Sequence, residues 1–166
     1  MKNFQLLKLG FLLFAACFAQ ITSRAETVSR TPADSSPGLR LVRTTAFTHS
    51  PHADKNANGS RLQAGEVNSA AADWSRYPLG TKFKILSTNK TYVVDDYGPA
   101  LVGTNKIDLY MPSRKEMAHW GVRKVQIYII EPGSYDRSLA LLRPRKKLPY
   151  VRKMVKVLEE KAQSRQ

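Results

Sequence analysis

The sequence predicts a mainly β fold: a small closed barrel with one short helix and a basic, partly helical C-terminal tail. Three observations carry this. Short β-rich segments recur between turn signals from Leu41 to about Glu131. A single capped helical signature interrupts them. From Arg137 to the end, ten basic residues stand against Glu159 and Glu160. The chain has 166 residues, 42% hydrophobic and 24% charged, which suits one domain and excludes wholesale disorder or a collagen-like repeat.

The first segment reads as an address. Lys2 and Lys8 precede an apolar run, Leu9 to Ala19, with small residues after it. Basic, apolar and then small is the pattern of a secretory signal peptide, assigned here to residues 1–25. The run is short of the roughly 20 apolar residues a membrane span needs. A second reading is a lipoprotein anchored through Cys17, because Phe14-Ala15-Ala16-Cys17 loosely resembles a lipobox. Either reading exports the protein to the periplasm or cell envelope. Cys17 is the sole cysteine, so an intramolecular disulfide, a multi-cysteine zinc site and an iron–sulfur cluster are excluded.

Residues 26–40 are rich in Thr, Ser, Pro and Ala and read as a flexible linker. The barrel is assigned to 41–133. Leu41–Thr48 is β-branched and apolar, a strand. His49–Gly59 is a polar loop with an Asn58-Gly59 turn. Val67–Asp73 is small and apolar, as a buried strand is. Pro78-Leu79-Gly80 turns the chain, and Thr81–Leu86 alternates polar and apolar. Asn89-Lys90 is a hairpin turn into Thr91–Asp95. Lys106–Met111 and Val125–Glu131 are the last strands. Between them Ser113 and Glu116 have capping-box spacing, and Gly121 is the helix stop. Many short strands with one short helix suggest closure into a barrel.

Residues 134–166 form the tail. Val151, Met154, Val155 and Leu158 fall on one helical stripe, giving an amphipathic basic helix from about Pro149. Such a helix either packs on the barrel with a solvated basic back or binds an anionic envelope polymer or membrane surface. Lysine and arginine outnumber acids 27 to 13, for a formal charge of +14, which favours an anionic partner. Export argues against nucleic acid.

Acids are scarce, so their placement is informative. Asp73 closes an apolar run before a turn. Asp96 sits at a strand end in Asp95-Asp96-Tyr97-Gly98. Asp108 lies between Ile107 and Leu109, and alternation points it to the opposite face from both. An ionised carboxylate there needs donors or must raise its pKa. A carboxyl kept protonated near neutrality is what a general acid requires. The structural alternatives are that Asp96 caps a turn, Asp73 makes an Asx-turn and Asp108 binds backbone amides. Trp74 and Tyr97, beside aspartates, either stack on sugar faces or pack in the core. His49, His52 and Asp54 are a weak metal pattern, better read as solvated loop residues, and no metal or other cofactor is expected.

Four ordered elements resemble the 3D domain family, named for three aspartates. Ala72-Asp73 with Tyr77-Pro78-Leu79-Gly80-Thr81 is similar to its first element. Val94-Asp95-Asp96-Tyr97-Gly98-Pro99-Ala100-Leu101-Val102-Gly103 is similar to its second. Ile107-Asp108-Leu109-Tyr110, and then Ala118-His119-Trp120-Gly121 with Val125-Gln126-Ile127, complete the order. The similarity covers roughly residues 43–131.

The resemblance implies a six-stranded double-psi β-barrel, like the catalytic barrel of membrane-bound lytic transglycosylase A and of muralytic stationary-phase proteins. It implies cleavage of the β-1,4 bond between N-acetylmuramic acid and N-acetylglucosamine in peptidoglycan. An aspartic acid serves as acid and then base, and the product is 1,6-anhydro. By position Asp108 is the acid/base, Asp96 its partner, and Asp73 a second partner or a structural residue. Gly98 and Gly103 match glycines that let backbone approach the sugar chain, and Tyr97 and Trp74 are counted with them as substrate-binding. The chain departs from the family pattern at Tyr97, at Pro99 and by one extra residue between Gly103 and Ile107. The rival expectation is a non-catalytic barrel that binds peptidoglycan or another polysaccharide. A monomer is expected in either case.

Overall fold

Alternation decides which way each strand faces, and closure of the sheet decides what that means. The computed structural model describes residues 38–49 and 54–164. The leader segment, the cysteine, most of the linker and His52 lie outside the described residues. Six strands form one closed barrel: β1 (Leu39–Phe47), β2 (Val67–Ala72), β3 (Lys82–Ile85), β4 (Thr91–Asp96), β5 (Lys106–Tyr110) and β6 (Arg123–Glu131). The hydrogen-bonded order is β1-β5-β2-β4-β3-β6, returning to β1. The β1–β5 and β2–β4 pairs are parallel, and the other four are antiparallel. This is the mainly β, six-stranded barrel the sequence predicts. Its first strand begins two residues inside the segment read as linker, because Leu39 and Arg40 already pair with Tyr128 and Ile127.

Side chains at alternate positions fill the interior. Val42, Phe83, Ile85, Val94, Ile107 and Ile127 are buried there, and Phe83 stacks on Tyr92 at 5.6 Å. The outward positions of β2 are also small and covered, so Ser69 and Ala71 are buried as well.

The short helix α1 (Arg114–Trp120) forms where its caps predict. The Ser113 hydroxyl accepts from the Glu116 amide at 3.2 Å and donates to the Glu116 carboxylate at 3.0 Å. Gly121 ends the helix at φ 59°, and its amide donates to the Met117 carbonyl. Only a residue free to adopt positive φ stops a helix this way without strain.

The tail holds more helix than the sequence marks. α2 (Tyr135–Leu142) precedes a 3-10 turn at Arg143–Arg145 and then α3 (Pro149–Gln163). α3 starts at the proline expected, since a first-turn proline loses no hydrogen bond. α2 escapes sequence reading because it is only two turns long and carries Arg137, not an acid, three residues after its Ser134 cap. Val151, Met154, Val155 and Leu158 are all buried, with Leu139 and Leu142 of α2 in the same core. Arg152, Lys153 and Lys156 face solvent. The tail is thus a packed layer with a solvated basic back.

Gly133 welds this layer to the barrel. Its amide donates to Thr81 Oγ1 at 3.2 Å, and the next amide, of Ser134, donates to the Leu79 carbonyl at 2.9 Å. In return the Leu79 amide donates to Ser138 Oγ at 2.8 Å. A Cβ on Gly133 would run into the Pro78 carbonyl oxygen and stand 2.7 Å from that of Leu79 and 2.6 Å from the Thr81 nitrogen, all backbone atoms. Gly133→Ala is therefore expected to cost at least about 2 kcal/mol, in the range of overpacking. Gly65→Ala, with open space around it, should change stability by less than about 1 kcal/mol. Urea midpoints of the two variants check the contrast.

Candidate functional site

Strand register brings two of the three aspartates onto one surface. Asp108 pairs across with Thr45 on β1 and with Ala71 on β2, and Ala71 pairs with Asp96 on β4. Residues directly opposite share a face. The neighbours of Ala71 in the chain, Ala70 and Ala72, point into the core. Thr45, Asp108, Ala71 and Asp96 therefore form one row on the outside of the barrel. Two strand spacings separate the backbones of Asp96 and Asp108, about 10 Å. Between them only the methyl group of Ala71 intervenes.

A β-bulge sets this geometry. Val94 opposes Ala70, but Asp96, not Asp95, opposes Ala71. One extra residue on β4 thus lets Asp95 and Asp96 both face outward. Strict alternation from Tyr92 and Val94 would have driven Asp96 into the apolar interior. Bulges re-aim side chains in this way and increase local twist.

Each carboxylate of the row is held by one oxygen. Asp108 Oδ1 accepts from Thr45 Oγ1 at 2.7 Å. Asp96 Oδ1 accepts from the amides of Ala57 at 3.0 Å and Tyr97 at 2.9 Å. The Oδ2 atoms have no hydrogen bond within the described residues and remain for a ligand. Burial pushes both groups up from the ordinary carboxylate value. For Asp108, the Thr45 hydroxyl and Lys106 oppose the rise, while the negative charge of Asp96 adds to it. For Asp96, the two amides and Arg145 oppose it. The pair therefore favours retaining a proton on the face that meets solvent.

Asp95 is a third carboxyl of the cluster, which the sequence reading named without assigning. Its Oδ2 accepts from Ser69 Oγ at 2.6 Å and Asn56 Nδ2 at 2.9 Å, while its buried Oδ1 has no partner. Burial, reinforced by Asp96 and opposed by those two donors, pushes its pKa up to about 6. Its side chain lies under the 54–62 loop, out of reach of a polymer.

Asp73 stands apart. Its Oδ1 accepts from the Ser75 amide and hydroxyl at 2.9 and 2.7 Å, and its Oδ2 from the Gly103 amide at 2.8 Å. It is 3% exposed. That is the Asx-turn alternative extended to pin the 97–105 loop, so Asp73 is structural and does not join the pair. With Gly103, Lys153 and Lys161 it borders a separate cavity of about 510 Å³ beside α3. Gly103 has φ +78°, which explains the glycine; Gly98 has ordinary backbone and only ordinary contacts.

The aromatic expectations need correction at Trp74. It is fully buried, donates its indole N–H to the Asp96 carbonyl at 2.9 Å, and meets Tyr97 edge-on at 4.8 Å. It offers no face to a sugar and instead fixes the end of β4. Tyr97 is half-buried against Trp74 and Tyr150, with its hydroxyl 3.3 Å from Arg145. His49 Nδ1 is 2.7 Å from the Tyr110 hydroxyl, and Asp54 faces Arg61 at 3.6 Å. Among the described residues no three His, Cys, Asp or Glu side chains converge as metal ligands.

Arg145 is the residue least visible in the sequence, where it is one cation of many. From the tail it donates to the Ala57 carbonyl at 2.8 Å and to the Tyr97 hydroxyl at 3.3 Å. Ala57 and Tyr97 are the two residues whose amides hold Asp96. Arg145 thus clips both donors together and adds a positive charge beside the carboxylate.

Two predictions follow from these electrostatics. Asp95 binds a proton more tightly when folded than when unfolded, so its contribution to stability is full below pH 4 and declines as pH rises through about 6. The decline is on the order of 2–3 kcal/mol, and Asp95→Asn should flatten it in urea titrations at pH 4.5 and 7.5. Arg145→Gln should raise the Asp96 pKa further, read by carboxyl-carbon NMR; an unchanged value would remove Arg145 from the site.

The 3D domain family model matches residues 68–131, from β2 to the end of β6. No curated protein matches the chain. The matched segment supplies all three aspartates, five of the six strands and α1, and β1 closes the ring. Over residues 68–131 the chain is therefore similar to the 3D domain, and its closed six-stranded barrel fits that likeness.

Proposed function

We propose that this protein is exported and cleaves the glycan strands of peptidoglycan as a lytic transglycosylase, with Asp108 as general acid and then general base. The observation that carries the reading is the outward row in which Asp108 and Asp96 flank Ala71, each with one oxygen uncommitted. Burial and the neighbouring negative charge favour a proton on Asp108, as an acid catalyst requires. The strand register sets both carboxyls on one face of the barrel, with only Ala71 between them.

The proposed sequence balances without water or metal. Protonated Asp108 donates its proton to the bridging oxygen as the muramyl C1–O bond breaks. The C1 centre gains oxocarbenium character, stabilised by the nearby negative charge of Asp96. The C6 hydroxyl of the same muramyl residue then attacks C1 and gives its proton to the Asp108 carboxylate. The product is the 1,6-anhydro sugar, and Asp108 ends as it began. One acid/base group suffices because the nucleophile is internal, where most glycosidases need two carboxyls. Thr45 orients Asp108, while Ala57, Tyr97 and Arg145 oppose the rise that burial imposes on Asp96.

Incubation with purified sacculi should release anhydromuropeptides. Asp108→Asn should lower the rate by at least about a hundredfold, the usual scale for losing a general acid. An equal rate in the variant would remove Asp108 from the role, and sedimentation with sacculi without any product would leave the binding barrel as the function.

A further inference from the structure

A second row of charged residues runs parallel to the aspartates. On the outside of the barrel Arg43 of β1 pairs directly with Lys106 of β5 on one side and with Lys124 of β6 on the other. Three cations thus stand abreast on adjacent strands, each about 5 Å from the next at the backbone. Like charges placed directly opposite destabilise a sheet. The side chains of Arg43 and Lys124 make no hydrogen bond or ion pair among the described residues. Lys106 feels one acid, Asp108, two residues along its own strand.

The row lines a cavity of about 440 Å³ that contains no acidic residue. The cavity's polar groups are already committed. Asn105 donates its amide to the Leu41 carbonyl at 2.9 Å and accepts from the Tyr77 hydroxyl at 2.8 Å. Thr104 donates to the Leu101 carbonyl at 2.6 Å. What the cavity has left to offer is positive charge and, at one wall, the exposed side chain of Leu41. That is the chemistry of a site for an anion carried on a small alkyl group.

We propose that Lys124, Arg43 and Lys106 bind the carboxylates of the peptide branches of peptidoglycan. The position selects this anion. Arg43 and Lys106 precede Thr45 and Asp108 by two residues on the same strands, so the two rows lie about 7 Å apart. A glycan whose linkage sits at Asp108 carries its branch at the cationic row, and Leu41 meets the branch methyl groups. The inference rests on peptidoglycan as the partner but not on its cleavage, so it holds for a binding barrel as well.

The test is sedimentation of the exported chain with native sacculi and with sacculi whose carboxylates have been converted to neutral amides by carbodiimide and ethanolamine. The wild type should bind native sacculi about tenfold more tightly than amidated ones. Arg43→Gln/Lys124→Gln, both at exposed positions and checked for fold by circular dichroism, should bind the two alike at the weaker level. Asp108→Asn should keep the tenfold preference, which separates this site from the cleavage chemistry. Absence of the preference in the wild type, or its survival in the double variant, overturns the proposal. So does tighter binding to phosphatidylglycerol vesicles than to sacculi, lost in the double variant, which would assign the row to lipid phosphate. A wild type that releases no anhydro product yet keeps the preference defeats the cleavage reading and leaves this one standing.

Discussion

One extra residue in β4 governs the acidic face. The bulge at Asp95 shifts Asp96 from a core position to a surface one, opposite Ala71 and beside Asp108. Everything proposed for the site depends on that displacement. A regular strand would have buried a charged carboxylate in the barrel, at a cost no local donor offsets. The bulge removes that conflict and creates a smaller one, since Asp95 now lies under a loop with one oxygen unpartnered. The rise in its pKa is the local trace of that compromise.

Charge is then distributed around the bulge in an ordered way. Neutral donors hold Asp95, backbone amides hold Asp96 with a guanidinium charge nearby, and a single hydroxyl holds Asp108. The gradient of support runs from the covered end of the cluster to the open one. The carboxyl with the fewest hydrogen-bond donors is the one the family resemblance marks as acid. Two strand positions away the sign of the surface reverses. The outer face of the barrel thus presents both polarities within the span of one disaccharide unit.

Much of this was legible in the sequence. Turn signals and alternation located all six strands, and the Ser113 and Gly121 caps located α1. The stripe of Val151, Met154, Val155 and Leu158 located the buried face of α3. What stayed hidden depends on contacts between distant segments. Asp73 looked equivalent to the other aspartates because spacing does not show that Ser75 and Gly103 would saturate it. Trp74 looked available because an aromatic next to an acid gives no sign of burial. Arg145 was one basic residue among ten in its segment, and only the fold brings it to Ala57 and Tyr97. The bulge did leave a signal. Tyr92 and Val94 point inward, so alternation puts Asp96 inward too, and a charged residue at an inward position marks a broken register.

The guanidinium clip has a temporal side. Arg145 follows the last strand, which ends at Glu131, and it is carried by helices anchored through Gly133. A chain that emerges from its N-terminus presents all six strands before that clip. A polypeptide that stops between Glu131 and Arg145 therefore holds all six strands without the guanidinium that joins Ala57 and Tyr97.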